Sequence, residues 1–186
     1  MCFRQFVYRC ASRSRDDCGA FVFAMVAMWS LLPYSAVQAQ SMSARCLQVL
    51  TAEQVRAAVG AGLDVAAQKQ AEAGVSECAW SRLGADSGAG PSIRVQFFDR
   101  VAISANPVAH SVDGYFDMIA STAEDIAGRK REPVAGVATR AVTIQGKSQL
   151  LLVVQRFDGV ARVILGNVSK SQASAIAMAI SVASAP

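Results

Sequence analysis

One histidine and a handful of carboxylates are the groups in this chain best suited to moving protons. His110 is the single histidine, and Ser111 and Asp113 stand beside it. A Ser-His-Asp relay is built from separate segments, because hydroxyl, ring and carboxylate must meet in space rather than follow one another along the chain. The local spacing instead predicts a helix cap at Ser111 and a surface histidine at 110. Asp113 and Asp117, at i and i+4, share one face of the expected helix, and Asp99, Glu124 and Asp125 complete the acids considered. A carboxylate-dependent hydrolase would need a cleft joining Asp99 to Asp113 and Asp117. Acids at helical spacing are more commonly a solvated face, so this is the least favoured function.

Other chemistry is thinly represented. The sequence contains no GxSxG, HExxH or SxxK, the spacings that set a nucleophile beside its base or two histidines on a metal. One histidine excludes a His-rich metal site, and no dense oxygen loop such as DxDxDG offers a calcium cage. The Gly/Ser/Ala run at 84–90, closed by Pro91, is read as a loop. It lacks the GxxxxGK[ST] that would make it a phosphate cradle. No catalytic residue, cofactor or metal ligand is assigned, and the chain is expected not to be an enzyme.

The cysteines divide by position. Cys2, Cys10 and Cys18 precede an apolar run, 21–32 (FVFAMVAMWSLL), which has the length of a signal-peptide core. A membrane-spanning helix needs nearer 20 apolar residues. Pro33 and Tyr34 break the run, and Val37-Gln38-Ala39 offers compact residues for cleavage after Ala39. The expected organisation is therefore a signal peptide, 1–39, and a single α+β domain, 40–186. Contact with a membrane is expected only through the signal segment, if it stays uncleaved. Arg45 before Cys46 is wrong for a lipoprotein site. The remaining pair, Cys46 and Cys78, reads as a disulfide of an exported domain. Closing a loop of about 33 residues constrains the unfolded chain by roughly 3–4 kcal/mol.

Composition excludes some partners. The chain has 186 residues, 53% of them hydrophobic and 17% charged, which suits a packed domain rather than a disordered one. Four of the 18 basic residues (Arg4, Arg9, Arg13, Arg15) and two of the 14 acidic ones (Asp16, Asp17) lie in the leader. The remainder carries about +2, scattered, so no nucleic-acid partner is expected.

The elements are punctuated clearly. Thr51 and Gln54 form a capping box with Leu50 and Val55 as the staple, and Gly60 stops the helix, giving 52–59. The stretch 61–77 is either a helical piece or an edge strand. A strand begins at Cys78-Ala79-Trp80, with Cys78 and the core residue Trp80 on one side. Residues 92–98 alternate as a half-buried strand. Val112, Tyr115, Phe116, Ile119, Ala123 and Ile126 follow helical spacing to 127, where Gly128 ends the helix. The trio Arg129-Lys130-Arg131 suits the C-terminal dipole. Strands follow at about 138–145 and 150–157. Asp158-Gly159 then predicts a type I′ turn into the return strand 160–165. Ser169 and Gln172 box the start of a helix at 170–184. The expected fold is a mainly antiparallel sheet of about five strands with two to three helices on one face.

Read together, CLQVLTAEQVRAAVG, ECAWSR, EPVAGVATRAV and LLLVVQRFDGVARVIL resemble a group of small exported bacterial domains of unknown function, common among actinobacterial lipoproteins. Cys46, Cys78, Trp80, Pro133, Val134 and Gly136 match that pattern over roughly 46–184. The resemblance implies the fold and the disulfide but no catalytic residues. The lipoprotein cysteine is missing, so membrane anchoring does not carry over.

The expected function is a non-catalytic periplasmic or secreted module binding a protein or envelope component. The alternative is a small-molecule carrier or sensor with an apolar pocket between the sheet and helix 112–127, lined by Phe97, Phe98, Tyr115 and Phe116. Export has a direct test. Protein purified from its native envelope fraction should have the mass of Gln40–Pro186 and expose two thiols only after reduction. A full-length mass with free thiols would contradict the compartment.

Overall fold

The computed structural model describes residues 45–60, 62–82 and 90–182. The leader, its cleavage point and most of the 84–90 loop lie outside them. Two short helices open the described chain, α1 (Arg45–Val49) and α2 (Ala52–Val59). Three strands follow: β1 (Asp64–Glu72), β2 (Val75–Ser81) and β3 (Ser92–Asp99). Next come α3 (Arg100–Ser104) and α4 (Val112–Ala127). The chain closes with β4 (Glu132–Pro133), β5 (Ala141–Gln145), β6 (Gln149–Arg156), β7 (Gly159–Gly166) and α5 (Lys170–Val182).

All the strands join one antiparallel sheet in the order β1-β2-β3-β7-β6-β5-β4. The α+β class and the antiparallel sheet are as expected, but the described sheet has seven strands rather than about five. Both extra strands are edges. The ambiguous 61–77 stretch forms edge strand β1, and Pro133, which cannot donate to a ladder, sits on the two-residue edge strand β4.

The helices also depart from expectation, because they cover both faces. The first face carries Cys78, Trp80, Ile93, Val95, Leu152 and Val163, packed beneath α1, α2 and α5. The second carries Val142, Ile144, Val153 and Val160, packed beneath α3 and α4. The cause is visible in β5 and β6, where AVTI and LLVV present apolar side chains alternately to both sides. A strand pair with two apolar faces requires two covers.

Local signals place the helices well. Both halves of the Thr51/Gln54 box form, and Leu50 and Val55 are fully buried as its staple. Gln172 accepts from the Ser169 backbone N–H at 2.9 Å while its own N–H donates to Ser169 Oγ at 3.3 Å. Gly128 ends α4 in the left-handed conformation at φ 63°. Helix α1 is held by the Cys46–Cys78 disulfide, whose Cα atoms are 5.9 Å apart, and by a hydrogen bond from the Cys46 N–H to Ser76 Oγ.

The β6–β7 hairpin forms, but not through the expected turn. Arg156 pairs with Gly159, so the two-residue loop is Phe157-Asp158. Among the described residues neither these two nor Gly159 has positive φ, which excludes type I′. Gly159 answers a different need. It lies opposite Asp99 on β3, and a Cβ there would strike the Phe98 carbonyl and the Phe97 ring.

Candidate functional site

The first candidates are committed to structural roles. Ser111 Oγ accepts from Gly114 N–H at 3.0 Å and caps α4, while His110 is exposed and makes no hydrogen bond among the described residues. Asp113 takes the Gln155 amide at 2.9 Å and lies 3.7 Å from Arg140. Asp117 lies between Arg140 at 2.7 Å and Arg131 at 3.2 Å. Glu124 binds the Arg131 backbone N–H at 2.8 Å and its Nε at 3.0 Å. Arg131 thus turns back onto the helix carboxylates, and Arg140 also stacks over Phe116, 4.5 Å from the ring centre. Asp125 is exposed and makes no ion pair among the described residues.

Asp99 is on the opposite face from Asp117. Its Oδ1 caps α3 through the N–H groups of Val101 and Ala102, and its Oδ2 accepts from Arg45 at 2.9 Å. Arg156, 5% exposed, pairs with Asp158 at 2.9 Å and donates to the Ile180 carbonyl at 2.7 Å. Both guanidiniums lie over Phe97, at 5.8 and 5.5 Å. This clasp ties α1, the β6–β7 turn and the end of α5 together. The sheet therefore separates the acids that a hydrolase cleft would have to join. Among the described residues no three His, Cys, Asp or Glu side chains gather as a metal site.

The expected aromatic pocket is filled. Phe97 faces the other way, under the clasp. Phe98 packs on Tyr115 with ring centres 5.3 Å apart, and Phe116 is fully buried. Burial pushes the Tyr115 phenol above its usual pKa, with the nearby Arg162 charge opposing the shift.

Open space lies further along α4. A cleft of about 300 Å³ runs between the C-terminal half of the helix and the second face of the sheet. Its floor is Ile144, Leu151 and Ile164, and its roof is Ala123, Ala127 and Ile126. The β5–β6 turn, Gly146 to Gln149, closes one end, and Arg162 stands in the wall. Where α4 passes over the cleft its inward side chains are small, Ala123 and Ala127, whereas Tyr115, Phe116 and Ile119 fill the space nearer its start. Ile126, 81% exposed, marks the open rim.

The sequence reading missed Arg162 and Lys147. The signal was present: Arg162 is a lone charge inside an otherwise apolar return strand, on the side shared by Val160 and Ile164. Comparison with protein families, with curated proteins and with solved structures finds no match. Among the described residues no helix is long and apolar enough to cross a membrane.

The α4 cluster yields a pH test. The hydrogen bond from Arg140 holds Asp117 below its ordinary value of 3.8, and the backbone N–H of Arg131 holds Glu124 below 4.5. Depressed carboxylates stabilise the fold above those values, and that stabilisation is lost as pH falls through the folded-state values. Asp117→Asn should therefore lower the melting temperature at about pH 7, and the gap from wild type should narrow as pH falls below the ordinary carboxylate value of 3.8. A gap that stays constant into acid would show that the pair does not stabilise the fold in this way.

Proposed function

We propose that the chain is an exported, non-catalytic module that binds a small envelope component with an apolar part, and that its site is the cleft beneath α4. This joins the expectation of an envelope-binding module to that of a small-molecule carrier, with the pocket moved from the aromatic half of α4 to the alanine half. The observation that carries the reading is the cleft itself. It is apolar on floor and roof, open at one rim, and at the lower end of the roughly 300–1,000 Å³ span of ligand pockets.

Several further features support this reading. The sequence carries an apparent export leader, and a disulfide suits an oxidising compartment. The resemblance to small exported domains points the same way. The candidate acids and the lone histidine are capped, paired or dispersed, which leaves binding as the activity the geometry favours.

Nile red, neutral and apolar, tests the cleft without regard to charge. Its emission should shift to the blue on binding one equivalent of protein. Ile126→Glu, placing a carboxylate on an already exposed rim, should weaken that binding by about tenfold, or about 1.4 kcal/mol. Absence of dye binding by the wild-type protein would remove the cleft as a site for apolar ligands.

A further inference from the structure

We propose that the ligand is a single-chain amphiphile with an anionic carboxylate or phosphate head, and that Arg162 reads the head. This rests on the cleft being the binding site and adds the class of molecule that enters it.

Arg162 is on β7, the central strand of the described sheet, between Gln96 of β3 and Val153 of β6. Arg45, Arg94, Arg131, Arg140 and Arg156 all pair with carboxylates. Arg162 is half-buried and has none among the described residues. Its Nε is buried without a partner, and among the described residues its one side-chain hydrogen bond runs from Nη1 to Gln96 Oε1 at 3.5 Å, the limit of such a bond. Leaving that buried Nε–H without a partner destabilises the free protein. The planar guanidinium fork matches a carboxylate or phosphate in two parallel hydrogen bonds, and such a ligand would relieve that cost.

The surroundings reinforce the sign. Among the described residues the cleft lining contains Arg162 and Lys147 and no acid. Lys147 is exposed on the rim with no ion pair among the described residues. An anion therefore meets one cation in the wall and another at the entrance. The apolar floor and roof remain for a tail. At about 300 Å³ the cleft is at the small end of ligand pockets, a size that suits a single medium chain.

Calorimetry with decanoate and decyl phosphate, each below its micellar concentration, and decanol, below its solubility limit, tests the assignment on the purified protein. At least one anion should bind about tenfold more tightly than the alcohol. A stronger carboxylate arm would identify a free-acid ligand, and a stronger phosphate arm a phosphorylated one. Arg162→Gln should bring the anion-to-alcohol ratio toward one, Arg162→Lys should keep part of the preference, and Lys147→Gln should reduce it less. Equal binding of anions and alcohol by the wild-type protein would overturn the head-group assignment while leaving the cleft intact, and needs no variant to fold. A preference that survives in Arg162→Gln would overturn the role of Arg162. Failure of all three probes would overturn the amphiphile assignment. Nile red binding would then show whether the cleft reading falls with it.

Discussion

The two-sided apolar character of β6, with its neighbours β5 and β7, is the constraint around which the rest of this protein is arranged. Leu150, Leu152 and Val154 face one way, and Leu151 and Val153 the other. Burying one such side chain is worth roughly 1.5–3 kcal/mol, so neither face can stay bare. The first face receives α1, α2 and α5, secured where packing alone would be weakest. Helix α1 has five residues, too few to hold itself in place. It is fixed by the Cys46–Cys78 disulfide on one side and by the Arg45–Asp99 pair on the other. Arg156 extends the same clasp to the end of α5 through the Ile180 carbonyl.

The second face is covered unevenly, and the unevenness follows from side-chain size. At the N-terminal half of α4, Tyr115 and Phe116 fill the space down to the sheet. Beyond Ile119 the helix offers Ala123 and Ala127, and the gap opens over Ile144, Leu151 and Ile164. Outside, Arg131 and Arg140 cross-link the carboxylates of α4 and hold the helix over the sheet. The same helix thus seals one half of the face and roofs a cleft over the other. Arg162, with no carboxylate partner among the described residues, is then left on the central strand in the wall of that cleft.

What was legible in the sequence was local. Capping boxes at Thr51/Gln54 and Ser169/Gln172, and the glycine at 128, mark helix ends through hydrogen bonds that span a few residues. The alternation at 92–98 gives β3 its faces, and the pair Cys46 and Cys78, set apart from the three leader cysteines, gives the disulfide. What was not legible depends on tertiary partners. Alternation assigns Phe97 and Phe98 to opposite sides of β3 but cannot say that both sides are covered, and so the aromatic pocket was drawn from residues that the sheet separates. Gly159 advertised a turn, whereas the close approach of β3 is what excludes a side chain there. The i, i+4 spacing of Asp113 and Asp117 on α4 reads as a solvated face. Arg131 and Arg140, which reach it from later in the chain, turn it into a cross-linked one. Arg162 was legible as an oddity in an apolar strand, but only the packing of α4 shows that it stands beside empty space.

The central claim is that the half-covered second face is where this protein takes its ligand. Methyl NMR of isoleucine-labelled protein, titrated with decanoate, tests it most directly. The account predicts shifts at Ile126, Ile144 and Ile164, which border the cleft, with Ile176 and Ile180 of the opposite core unmoved. Shifts confined to Ile176 and Ile180, or none at saturating ligand, would contradict it.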